Sequence, residues 1–133
     1  MPRRAISYGR QTIEEDDIKA VVAALRSDFL TQGPLVSEFE ELIKAHTGAK
    51  YAVACSSGTA ALHIAHLAAG IGKGDKVITS PITFLASANA ALYAGASPVF
   101  ADIDPVTRNI DLDQVEAAIT PRTRAIIPVY LAG

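Results

Sequence analysis

Several features that often identify a function are scarce in this sequence. It contains one cysteine, Cys55, and no tryptophan. A single cysteine excludes an internal disulfide and a cysteine-based zinc cluster, and its place in an apolar run predicts a buried side chain. No run of about 18 apolar residues is present to span a bilayer, and the first residues lack the apolar core of a secretory signal. We therefore expect a cytoplasmic protein.

Net charge is also small. The formal value is −2, and the 12 lysines and arginines are scattered along the chain. Such a chain offers no basic surface to a nucleic-acid backbone or an anionic membrane, so neither is expected as a partner. His63 and His66 share a face of a predicted helix, but no third ligand is evident, and packing explains them better than a metal.

The 133 residues are enough to bury a sizeable core, and residues 1–50 read as an N-terminal helical segment. Thr12 and Glu15 have the spacing of a capping box, and apolar residues at helical spacing follow from Ile18. Gly33 and Pro34 interrupt this pattern. A second helix is expected after them, ending at "TGAK".

From residue 51 the pattern changes to short apolar runs that alternate with helix-length segments. The runs are "YAVAC", "KVITS", "SPVFA" and "RAIIPVY", and helices are expected near 58–69, 84–94 and 112–119, the last capped by Asp111. This alternation indicates βαβ units with a largely buried, mostly parallel sheet. No helix follows the last run to cover the sheet, so we expect a fragment of a longer chain.

The stretch "SSGTAAL", residues 56–62, is the first candidate site. A strand that turns through Ser57, Gly58 and Thr59 into a helix presents backbone N–H groups and hydroxyls to one point, which suits an anion. The alternative is that the hydroxyls only cap the helix. Neither G-x-x-x-x-G-K-[ST] nor G-x-G-x-x-G is present, so a triphosphate loop and a dinucleotide fingerprint are not supported.

Polar and aromatic residues follow the other predicted strands. Ser80, Thr83 and Tyr130 lie at strand ends, which should converge on one crevice with the Ser-Gly-Thr turn. Phe84 follows at the second turn. Its ring could cover the flat face of a planar ligand, or it could belong to the helix core.

Four segments of the chain closely resemble the DegT/DnrJ type of pyridoxal-phosphate sugar aminotransferases. They are "LTQGPLVSEFEE", "SSGTAALHIA", "GKGDKVITSPITFLASANAALYAGASPVFADID" and "RTRAIIPVYLAG". The resemblance implies the N-terminal part of a fold-type-I large domain, an α/β/α sandwich with a mostly parallel sheet. Residues 51–133 would be its incomplete start. It also implies transfer of an amino group, usually from glutamate, to a keto group of a nucleotide-linked hexose.

The resemblance assigns the cofactor site residue by residue. The phosphate of pyridoxal phosphate would be held by Ser57, Gly58 and Thr59, and Phe84 would lie over the pyridine ring. The Schiff-base lysine and the aspartate that pairs with the ring nitrogen would lie beyond residue 133. None of the lysines present matches the family's lysine motif, so this piece contains no catalytic residue and is expected to be inactive.

The opening "SYGRQTIEEDDIKAVV" and the "LTQGP" turn are most similar to the subgroup that makes the 4-amino intermediate of pseudaminic acid from a UDP-linked 4-keto sugar. That similarity implies a nucleotide-sugar pocket near Tyr8, Thr31, Gln32 and Gly33. A "TQGP" turn also works as a helix stop with no ligand.

Two departures leave the substrate open. Gly58 stands where some subgroup members have alanine, and Tyr130 stands where many have histidine. Two other functions also remain open: a dehydratase of the same family, with histidine in place of the lysine, and a non-catalytic binding or regulatory protein. The resemblance further implies a homodimer.

Overall fold

The computed structural model describes residue 9 and residues 11–131. The chain forms two compact units, and the boundary between them lies between Ala54 and Cys55. The first contains α1 (Glu15–Leu25) and α2 (Pro34–Thr47). The second contains α3 (Gly58–Ala68), β1 (Lys76–Thr79), α4 (Ala86–Tyr93), β2 (Ser97–Phe100), α5 (Leu112–Ala118) and β3 (Thr123–Ile127).

Helix α1 begins later than its sequence pattern predicts. Its N-cap is Glu14, and the Asp17 carboxylate accepts a hydrogen bond from the Glu14 backbone N–H at 2.8 Å. The predicted box of Thr12 with Glu15 is therefore wrong. Acidic side chains replace it because a carboxylate both accepts the N–H and complements the positive end of the helix dipole.

Helix α2 has the termini that the sequence predicts. Pro34 occupies its first turn, where a missing N–H costs nothing, and Gly48 ends it with φ of 73°, in the left-handed region. The Glu40 side chain then accepts the backbone N–H of Ala54 at 2.8 Å.

The predicted strand at 51–55 is wrong. No strand pairs with this segment among the described residues, and Tyr51 and Val53 are about three-quarters exposed, at 75% and 77%. Cys55 is exposed as well, which contradicts the predicted burial of its side chain. An apolar run forms a strand only when a neighbouring strand supplies hydrogen-bond partners, and its own residues do not specify that neighbour.

The second unit is built on a parallel sheet with strand order β2-β1-β3. Val77 and Ile78, adjacent in the central strand, are completely buried in two different clusters. Val77 packs with Ala91 of α4, and Ile78 packs with Val115 of α5. Because successive side chains of a strand point to opposite faces, helices cover both sides of the sheet. The predicted α/β/α arrangement is confirmed.

The three remaining strand predictions and the three helix predictions of this unit are confirmed to within a few residues. Asp111 caps α5, its carboxylate accepting the N–H groups of Asp113 and Gln114 at 2.8 and 3.2 Å. Within the described ranges, no helix has the length and hydropathy needed to cross a membrane.

Candidate functional site

The N-terminus of α3 leaves two backbone donors uncommitted. The Ser57 hydroxyl accepts the Ala60 N–H at 3.2 Å, and the Ser57 carbonyl accepts the Ala61 N–H at 3.0 Å. The N–H groups of Gly58 and Thr59 have no acceptor among the residues that the structure describes. Uncommitted donors at the positive end of a helix form a binding site for an anion.

Space is open in front of this terminus. A Cβ atom built at Gly58 would meet nothing within 4 Å, and Gly58 does not have a positive φ. The backbone therefore does not require glycine at this position. The Ser57 hydroxyl serves as a helix cap, so the capping explanation holds for that residue, whereas the Thr59 hydroxyl makes no hydrogen bond within the described chain.

The Ser-Gly-Thr turn before α3 and the turn before α4 meet in one groove of about 610 Å³. Gly58, Thr59 and Phe84 all line it. Its other walls are small or apolar side chains of α3 and α4 and the hydroxyl-bearing Ser87. These residues are Ala61, Leu62, Ala65, Ala86 and Ser87. This volume falls in the usual range for small-molecule sites.

Phe84 is not part of the helix core. Phe84 precedes α4, and the residue is 77% exposed. The turn before it is held by Ser80, whose buried hydroxyl bonds the backbone of Ile82, and by a 2.8 Å contact between the hydroxyls of Thr83 and Ser87. These contacts delay the helix to Ala86 and leave the aromatic ring at the groove.

The groove fits the cofactor that the resemblance implies. Its N–H donors suit a phosphate dianion, and the exposed ring of Phe84 suits a planar heteroaromatic ring. Tyr130 does not line this groove and is 76% exposed, while Ser80 is buried and bonded within its own turn. The expectation that every strand end would contribute to a single crevice is therefore wrong for those two residues.

The candidate substrate residues belong to the first unit. Thr31 and Gln32 are exposed, and Gln32 has φ of 52°. A Cβ atom at Gly33 would come within 2.7 Å of the Phe29 Cβ, so glycine is needed there for packing whether or not a ligand binds. Tyr8 lies outside the described residues. The substrate role of these residues stays a prediction.

Other polar residues of the second unit also have definite positions. His66 is buried, with Nδ1 2.7 Å from the Leu62 carbonyl, and no metal-ligating group of three or more residues occurs in the described part of the chain. Asn89 of α4 shares a small cavity with Thr59 and Phe84. Asn89 has no role predicted from the sequence, where its only signal is a polar side chain in an alanine-rich helix.

Curated relatives match nearly the whole chain. The spore coat polysaccharide biosynthesis protein SpsC of Bacillus subtilis is 50% identical over 128 residues, 96% of this chain and 33% of its own length. UDP-4-amino-4-deoxy-L-arabinose–oxoglutarate aminotransferase of Shewanella sediminis is 47% identical, covering 93% and 32%. GDP-perosamine synthase of Caulobacter vibrioides is 43% identical, covering 100% and 36%. The chain thus spans about a third of the length of these relatives.

A solved structure shows the same fold. The PLP form of the sugar aminotransferase Spr1654 from Streptococcus pneumoniae superposes with a TM-score of 0.89 at 39% identity, covering 96% of this chain and 33% of that one. Spr1654 is also described in a form with the aminated cofactor, PMP. The predicted fold class and the family's cofactor are therefore confirmed.

The model of the DegT/DnrJ/EryC1/StrS aminotransferase family matches residues 11–133. With the groove, the fold and these relatives in agreement, the chain belongs to this family.

Proposed function

We propose that the full-length protein is a pyridoxal-phosphate-dependent aminotransferase that acts on a nucleotide-linked sugar. The observation that carries the proposal is the groove in which the uncommitted N–H groups of Gly58 and Thr59 adjoin the exposed ring of Phe84. An anion site beside an aromatic platform matches the phosphate and the ring of this cofactor.

Each residue of the groove has a limited role in this proposal. Ser57, Gly58 and Thr59 bind the phosphate, Ser57 also caps the helix terminus, and Phe84 orients the ring by stacking. The bound cofactor supplies an electron sink for amino-group chemistry. No lysine of the described chain lines the groove, so these residues bind and orient, and we infer that the amine that moves the proton belongs to another part of the full-length protein.

For the substrate we infer glutamate as donor and the 4-keto group of a UDP-linked deoxyhexose as acceptor, in the synthesis of a bacterial surface sugar similar to pseudaminic acid. The UDP sugar named for the Shewanella relative supports this choice, and the GDP sugar named for the Caulobacter relative provides the competing one. Tyr8, Thr31, Gln32 and Gly33 are the proposed nucleotide-sugar contacts.

We further infer that the full-length protein is a cytoplasmic homodimer. The apolar stripe of α1 supports an interface: Ile18, Val21 and Leu25 are 47%, 59% and 64% exposed. A contiguous apolar helix face of this kind is typical of a surface that another part of a protein covers.

The test uses full-length protein. Apoprotein given pyridoxal phosphate should develop the visible band of bound cofactor, and glutamate should shift it. UDP-linked and GDP-linked 4-keto sugars are then offered in parallel, with the amino sugar identified by mass spectrometry. A product that loses a hydroxyl instead of gaining nitrogen would identify the dehydratase. Absence of any glutamate-dependent shift would reject the aminotransferase, and absence of cofactor uptake would favour a non-catalytic protein.

A further inference from the structure

A second, smaller cavity adjoins the groove. It has a volume of about 140 Å³. Its lining comes from the start of α3, the residues before α4 and one face of α4: Thr59, Phe84, Leu85, Ala86, Asn89 and Tyr93. Thr59, Phe84 and Ala86 line both spaces, so the two are neighbours.

Helix α4 contributes two polar side chains to this cavity, Asn89 and Tyr93. The two residues are one helical turn apart, and the Tyr93 ring packs against His63 of α3 with centroids 5.5 Å apart. The half-buried Asn89 carboxamide makes no hydrogen bond to any residue that the structure describes. Asparagine has two N–H donors, and folded proteins usually satisfy such groups when they are shielded from water.

The lining of the cavity permits an anion as the partner of that carboxamide, because no wall residue of the described chain would repel it. Among the residues that the structure describes, no acidic side chain lines the smaller cavity or the groove, and neither does a lysine or arginine. A phosphate dianion held here would depend on neutral donors and the helix dipole. The Ser57 oxygen accepts the Ala60 N–H as the cap of α3, and its O–H is still able to donate, so that helix offers the two N–H groups and the hydroxyls of Ser57 and Thr59 as donors.

We propose that Asn89 is a further ligand of the cofactor phosphate, donating a side-chain N–H from α4 opposite the donors of α3. This inference rests on the proposed cofactor site. The phosphate would then have donors from two helices, α3 and α4. Its binding would depend on the packing of α3 against α4 as well as on the turn at the start of α3. Ala86, one turn before Asn89, leaves the room that a larger side chain would fill.

The test compares two probes on full-length apoprotein: pyridoxal phosphate, and pyridoxal, which lacks the phosphate. Asn89→Ala should raise the Kd for pyridoxal phosphate about tenfold, the usual effect of losing one hydrogen bond to a charged group. Asn89→Asp, nearly isosteric but anionic, should raise it further, and Asn89→Ser should restore part of the affinity. The Kd for pyridoxal should stay at the wild-type value in all three.

The control is Leu92→Ala on the same helix, because Leu92 is exposed and lines neither space. Unfolding of each apoprotein is measured beside binding. The proposal is overturned if Asn89→Asp binds pyridoxal phosphate like the wild type, if both probes weaken equally, or if only the KM for the sugar changes. A wild-type protein that binds both probes equally would instead reject the phosphate site itself.

Discussion

Replacing the hydroxyls of Ser57 and Thr59 in turn should separate folding from cofactor binding. The Ser57 Oγ accepts the Ala60 N–H at 3.2 Å and belongs to the fold. The Thr59 hydroxyl, two residues later, has no hydrogen-bond partner in the described chain, and Thr59 lines the groove. The two positions therefore form a matched pair on one helix turn.

We expect Ser57→Ala to change mainly the free energy of unfolding and Thr59→Val to change mainly the Kd for pyridoxal phosphate. Ser57→Ala removes a helix cap and should lower the free energy of unfolding by about 1 kcal/mol. Thr59→Val keeps the shape of the side chain and should change that energy by less than about 0.5 kcal/mol. It removes a hydrogen bond to a dianion, worth about 1.5–3 kcal/mol, so the Kd for pyridoxal phosphate should rise about ten- to a hundredfold.

Both variants are made in the full-length protein. Denaturant unfolding of the apoprotein gives the stability, and absorbance titration with pyridoxal phosphate gives the affinity. The reasoning is refuted if Thr59→Val loses as much stability as Ser57→Ala and still binds the cofactor like the wild type. Gly58→Ala is a useful third variant, because its Cβ meets no atom within 4 Å and the fold should accept it.

Two further predictions concern residues away from the groove. Gly33→Ala should destabilise by about 1–3 kcal/mol, because the new Cβ would lie 2.7 Å from the Phe29 Cβ; an unchanged denaturation midpoint, with Thr31→Ala as the control, would contradict the packing explanation. Hydrogen bonds from the Thr107 backbone and side chain hold the pKa of Asp104 below its ordinary value, so its stabilising contribution is present above about pH 4 and is lost as pH falls through the lowered pKa. Asp104→Asn should therefore lose less stability than the wild type on acidification. The free energy of unfolding is measured against pH for both proteins, and parallel curves would show that Asp104 does not contribute to the acid dependence of stability.

Helix α2 is an element that the sequence predicts correctly, because the cause of its two ends is local. Helix α2 begins at Pro34 and ends at Gly48 because the conformational preferences of those two residues leave few alternatives. The run at 51–55, "YAVAC", is more apolar than the run at 76–80, "KVITS", yet only the second contains a strand. Pairing depends on neighbours distant in sequence, and an apolar pattern does not contain that information.

The same distinction applies to the groove. Two of its parts follow from nearby residues: the Ser57 cap lies within its own helix turn, and the exposure of Phe84 follows from the turn held by Ser80 and Thr83. Asn89 could not be predicted in this way. Its place beside Thr59 results from the packing of α3 against α4, and α4 in turn packs against β1 and β2.

The candidate anion site can be predicted from the sequence because folding leaves backbone N–H groups without acceptors at the start of α3. A helix start has more N–H groups than a single cap can satisfy, and here the cap and the first intrahelical bond account for those of Ala60 and Ala61. The donors of Gly58 and Thr59 remain, at the end of the helix where the dipole is positive. An anion binds where the fold itself has no acceptor to offer, so the rule that predicts the cap also predicts the ligand site next to it.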